Sequence, residues 1–170
     1  MMKNQASPPP AVRTASLLWL AAVAAGGFET LLALTDLLRQ GDASTTEIVT
    51  GVGIRVVVFL LATWLAVRLR SGANWARLTL AVLLGVLGTL SLVVDPVRWL
   101  VEGNSLSAAI AGAGPLALTF AGSRILHVGF VIAAMVLMFQ PAANSYFRRS
   151  ARQVTVAPGG GGAPVTAARR

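Results

Sequence analysis

Four apolar blocks alternate with short polar segments along the chain, and none of them carries the narrow apolar stripe of a helix on a soluble core. The first block runs from Ala15 to Leu38, and its 24 residues exceed the roughly 20 that cross a bilayer as a helix. Arg39 to Glu47 is a polar loop. Val49 to Val67 is the second block, and Ala76 to Val94 the third, entered from the basic loop Arg68–Asn74. Asp95-Pro96 follows, and proline disfavours helix in the residue before it, so the third span is expected to stop there. The fourth block covers Ser123 to Phe139. Ahead of it lies LSAAIAGAGPLALTFAG, apolar but broken by Gly112, Gly114 and Pro115. A fifth span there would leave only Gly122 and Ser123 before the next, so a surface or re-entrant segment is expected.

The pattern predicts an all-α membrane four-helix bundle with a short interfacial or re-entrant segment before helix 4. Residues 1–14 read as a disordered cytoplasmic N-terminus, 15–140 as the transmembrane domain and 141–170 as a basic, Gly-rich cytoplasmic tail. The lead-in and AAVAAGG together imitate a signal peptide with cleavage near Ala25. The apolar run continues to Leu38, which favours a retained anchor.

Composition sharpens this picture. Hydrophobic residues make up 55% of the chain and charged residues 12%, about half the charge of a soluble domain. The net charge of +8 is not a nucleic-acid footprint, because the arginines flank apolar blocks. With the N-terminus, the loop after the second span and the C-terminus on one side, that side holds Lys3, Arg13, Arg68, Arg70, Arg77, Arg148, Arg149, Arg152, Arg169 and Arg170, and no acid. Arg39, Arg55, Arg98, Arg124 and every acidic residue fall elsewhere. The positive-inside rule then places both termini in the cytoplasm. Trp19, Trp64 and Trp75 fall near that face and Trp99 near the other. Anionic headgroups are the expected partner of the basic ends.

Ionisable residues inside the spans are the candidate site. Glu29 lies nine residues before Leu38, and Arg55 six residues into the second block. Arg124 and His127 lie in the first turns of the fourth. All four occupy the outer half of the membrane, where an unpartnered charge costs on the order of 2–3 kcal/mol. An intramembrane cluster of Glu29 with Arg55, Arg124 and His127 is therefore expected. Ala22, Ala25, Gly26 and Ala33 share a helix face with Glu29, and small residues permit close approach. Gly85 and Gly88 offer the same in the third span. The cluster reads as a structural clamp, with a protonatable transport site as the alternative. The chain has no cysteine and one histidine, and no P-loop, GxGxxG, GxSxG or HExxH, so neither an enzyme, a metal nor a cofactor is expected.

Two short motifs carry a resemblance: Asn74-Trp75-Ala76-Arg77, entering the third span, and Pro141-Ala142-Ala143-Asn144-Ser145-Tyr146-Phe147-Arg148, leaving the fourth. In these the chain resembles uncharacterised small four-helix integral membrane proteins of high-GC Gram-positive bacteria (actinobacteria). The resemblance implies the layout and a bacterial plasma membrane; it carries no activity. A glutamate in the first of four helices is also similar to that of small multidrug-resistance transporters, where it would exchange protons for cations. Arg55 and Arg124 depart from that pattern, since they would hold Glu29 ionised and repel cations.

Overall fold

A computed structural model describes residues 7–41 and 44–155, with only the backbone described at 153–155. Among these residues the chain forms six helices and no strand. They are α1 (Pro10–Gln40), α2 (Thr45–Arg70), α3 (Asn74–Val101), α4 (Leu106–Gly112), α5 (Pro115–Met138) and α6 (Pro141–Thr155). Four of them, α1, α2, α3 and α5, are long and apolar enough to cross a membrane.

Each helix end has a local cause. Pro10 occupies the first turn of α1, where its missing N–H is no loss. The helix thus begins five residues ahead of the apolar block, inside the stretch read as disordered, and Val12 is already fully buried. Gly41, at φ 75°, closes α1 in the left-handed conformation, its N–H donating to the Leu37 carbonyl. Ser44 opens α2 with a capping box. Its hydroxyl accepts from the Glu47 N–H at 3.2 Å while the Glu47 carboxylate accepts from the Ser44 N–H at 3.1 Å.

Two expectations change here. Helix α3 does not stop at Asp95; it continues through Pro96 to Val101. Proline removes one ladder hydrogen bond, and the carbonyl it leaves without a helical donor belongs to Leu92, four residues back. The helix also widens to a π-helical stretch over Leu80–Gly88. The second change concerns the chain after the fourth span. Pro141–Thr155 is helical, whereas residues 156–170 of the expected tail lie outside the described residues. Helix α4 has seven residues, about 10 Å of rise, too short to span. Helix α5 starts at Pro115 and absorbs the segment from Pro115 to Gly122 into the fourth span.

Packing is uneven along the bundle. The core gathers Val12, Ala15 and Trp19 of α1, Leu65, Ala66 and Leu69 of α2, Ala76 and Leu80 of α3, Val131, Ala134 and Met138 of α5, and Ala143 and Phe147 of α6. All lie toward the end bearing Arg13, Arg68, Arg70, Arg77, Arg148 and Arg149, called here the basic end. Small side chains let the backbones approach: Ala15, Ala66, Ala76, Ala134 and Ala143 are fully buried. The Ser16 hydroxyl crosses from α1 to donate to the Ala66 carbonyl at 2.7 Å. Trp19, expected at the interface, is instead part of this core, at 2% exposure. Trp64 and Trp75 are half exposed, their rings 5.3 Å apart.

Toward the far end the helices part. The last buried residue of α1 is Glu29. Helix α2 has no buried residue before Ala62, and α3 none from Thr89 to Val101. Large apolar side chains such as Val57, Leu60, Leu90 and Val94 face outward over this half. Lipid tolerates such a surface, whereas water would not.

Candidate functional site

The polar cluster lies at the last packed layer, where the tight half of the bundle meets the open half. Helix α1 delivers Glu29, 5% exposed, on the face of Ala22 and Gly26. Helix α5 delivers Arg124 and His127, three apart and so on one face. Arg124 Nε donates to Glu29 Oε2 at 3.3 Å, and His127 Nδ1 lies 3.2 Å from Glu29 Oε1. Each carboxylate oxygen thus has its own partner.

Gly26 makes the approach possible. A Cβ on it would stand 3.0 Å from the Phe59 ring of α2 and 3.2 Å from His127 Cε1. The missing side chain therefore leaves room for both neighbours, one turn below the carboxylate.

Arg124 also reaches the third span. Its Nη1 lies 3.4 Å from the Leu92 carbonyl oxygen, the oxygen that Pro96 deprives of its helical donor. Its guanidinium rests 4.9 Å from the centroid of Phe120, one turn back on α5. One side chain thereby joins α1, α3 and α5, and it answers a vacancy created by the proline. The sequence signal for this was present: where a helix runs on through a proline just past an apolar block, the carbonyl four residues earlier is left available.

Arg55 does not join the cluster. Counted from the far ends of their helices it is level with Glu29 and Arg124, and it sits on the same stripe of α2 as Phe59, Ala62 and Ala66. That half of α2 is unpacked, so the guanidinium is exposed and Nη1 donates at 3.1 Å to the Gly51 carbonyl one turn nearer the far end. This is the behaviour of an arginine reaching toward an interface. Depth along a span is readable from sequence; the divergence of the helices is not.

The remaining positions divide similarly. Ala22 is buried, Ala25 half-buried and Ala33 exposed, Glu29 being the last buried residue of α1. At Gly85 a Cβ would meet Met135 Sδ of α5 at 2.5 Å, so this glycine is a close-approach point between α3 and α5. At Gly88 it would meet only the Leu83 carbonyl of its own helix, at 3.5 Å, and Gly88 serves no contact between helices. No group of three or more His, Asp or Glu side chains placed to hold a metal occurs among the described residues.

A second polar arrangement was not anticipated. Arg77, 7% exposed, stacks between the rings of Phe139 and Phe147, at 4.3 and 4.9 Å from their centroids. One of its terminal nitrogens, Nη2, donates to Asn144 Oδ1, while Asn144 Nδ2 donates to the Phe139 carbonyl at 2.9 Å. Next to it the Tyr146 hydroxyl donates to the Arg70 carbonyl at 2.9 Å. Gly72, at φ 77°, brings the α2–α3 turn against Ser150 and Tyr146. The two motifs that carried the family resemblance are thus one clasp, which docks α6 onto the start of α3. Counting Arg77 only as a topological charge missed this. The available signal was its position within the third apolar block.

Together the four apolar helices and the buried polar contact between them define a multi-pass α-helical integral membrane protein. Beyond that class, no family model, curated protein or solved structure matches the chain.

Proposed function

We propose that the protein is a non-enzymatic accessory or interaction protein of the bacterial plasma membrane, with both termini cytoplasmic and Glu29 acting as a structural clamp. The observation that carries this reading is the full engagement of Glu29. Both oxygens are partnered, by groups on another span, at the layer where packing ends. Engaged on both oxygens, the carboxylate serves to join α1 to α5. Above the clamp, the apolar faces of α2 and α3 offer surface to lipid, to a protein partner or to a second copy of the chain.

The competing function is that of a small proton-coupled transporter or pore acting as an oligomer, favoured by the open half of the bundle directly above Glu29 and His127. Purified protein reconstituted in liposomes, with an internal pH dye, separates the two. The clamp predicts no proton flux from wild type and a lowered melting temperature for Glu29→Gln. A wild-type flux that Glu29→Gln abolishes while leaving the melting temperature unchanged would overturn it.

A further inference from the structure

At the basic end, Arg77 is nine-tenths buried, yet among the described residues no carboxylate pairs with it and its Nε has no hydrogen-bond partner. Its polar contact within the chain is the neutral Asn144 amide. A cleft of about 280 Å³ opens beside it, lined by Asn74, Arg77, Asn144, Phe147, Arg148 and Ala151. Arg148, on the rim, is exposed and has no hydrogen-bond or ion-pair partner among the described residues. Neither α6 nor the first turn of α3 has an acidic residue to neutralise the pair. The first turn of α3 also has no side-chain cap, so its amide dipole adds to the positive field.

Burying an arginine without an anion is costly unless the anion arrives from outside. We infer that the cleft between α3 and α6 binds the phosphate of an anionic phospholipid, with Arg77 as the buried contact and Arg148 as the rim contact. Two cations converging on one cleft suit a phosphate oxygen pair, and an arginine fork presents donors with the right spacing.

Depth selects the source of the phosphate. Arg77 follows Trp75 by two residues, and the Trp64–Trp75 pair with Arg68 5.5 Å from the Trp64 ring forms an amphipathic band at the same level. Such bands sit among lipid headgroups. Phe139 and Phe147 stack on the guanidinium and shield it from water. This inference uses the membrane placement of the four helices. It does not use the Glu29 clamp, nor the side of the membrane on which the basic end lies.

The test measures lipid retention and melting temperature of the full chain in neutral detergent, titrated separately with phosphatidylglycerol, phosphatidylcholine and inorganic phosphate. The site predicts that phosphatidylglycerol stays bound in native mass spectrometry and raises the melting temperature, while the other two do not. Arg148→Gln, at an exposed position that leaves the fold intact, should weaken phosphatidylglycerol binding by about fivefold, the effect of one cationic contact. Arg13→Gln removes the same charge away from the cleft and should change binding less than twofold. Arg77→Gln should abolish selective retention; if it also prevents folding, the Arg148 and Arg13 comparison decides. Equal retention of both lipids, or equal weakening by Arg148→Gln and Arg13→Gln, would overturn the site. Stabilisation by inorganic phosphate alone would overturn the assignment to lipid.

Discussion

Replacing Pro96 by alanine gives a sharp test of how the third span is joined to the rest. In the interior of an ordinary helix, proline is about 3 kcal/mol less favourable than alanine. Here part of that penalty is offset, because Arg124 Nη1 reaches the freed Leu92 carbonyl at 3.4 Å. A hydrogen bond from a charged donor contributes about 1.5–3 kcal/mol when well formed. The long distance places this one near or below the lower bound, at about 1 kcal/mol. In Pro96→Ala the alanine N–H satisfies Leu92 directly, and the arginine becomes less important there. Arg124→Gln should therefore cost about 1 kcal/mol less in the alanine background than in wild type. Reversible unfolding in mixed micelles, titrated with denaturing detergent and followed by tryptophan fluorescence, reads all four proteins. Additivity of the two substitutions to within about 0.3 kcal/mol, the usual scatter for independent sites, would mean that Arg124 does not support the Leu92 carbonyl.

Other consequences follow from the same geometry. Gly72→Val places a branched side chain at φ 77° and against Ser150, and should destabilise by about 1–3 kcal/mol, releasing α6 as seen by faster amide exchange over Pro141–Thr155. Gly26→Leu should separate α1 from α5 and lower the melting temperature more than Gly88→Leu, since only Gly26 faces neighbouring helices. Burial pushes the Tyr146 hydroxyl above its usual ionisation range, with a Ser150 hydrogen bond partly opposing it. The unfolded tyrosine ionises first as the pH rises, so stability is full below about pH 10. It is lost as pH climbs through the higher folded value, and Tyr146→Phe should remove that alkaline loss. Reporter fusions after Arg39 and after Arg149 should report export and cytoplasmic retention respectively.

Some of this molecule is legible in its sequence for plain physical reasons. Length and apolarity determine what can lie in a bilayer, and so the four spans follow from counting. Rise per residue determines depth, which is why Glu29, Arg124 and His127 lie at one level, where the structure joins them. Whether neighbouring helices stay in contact at a given depth depends on side-chain volumes summed over several helices. That is why Arg55 and Ala33, on the right stripes, remain exposed, and why Trp19 is core rather than interface. The continuation of α3 past Pro96 is aided by a donor from another helix, which no local rule supplies. The docking of α6 through Arg77 and Asn144 depends on residues 67 positions apart. Neither motif alone discloses that contact.

A contact between Glu29 and Arg124 holds α1 to α5 at the boundary between the packed and the open halves of the bundle. Two double-mutant cycles measured side by side in the same micelles address it, one pairing Glu29→Gln with Arg124→Gln and the other pairing it with Arg55→Gln. The geometry predicts a coupling of about 1–3 kcal/mol for Arg124 and less than about 0.5 kcal/mol for Arg55. Coupling to Arg55 in place of Arg124, or to neither, would contradict it.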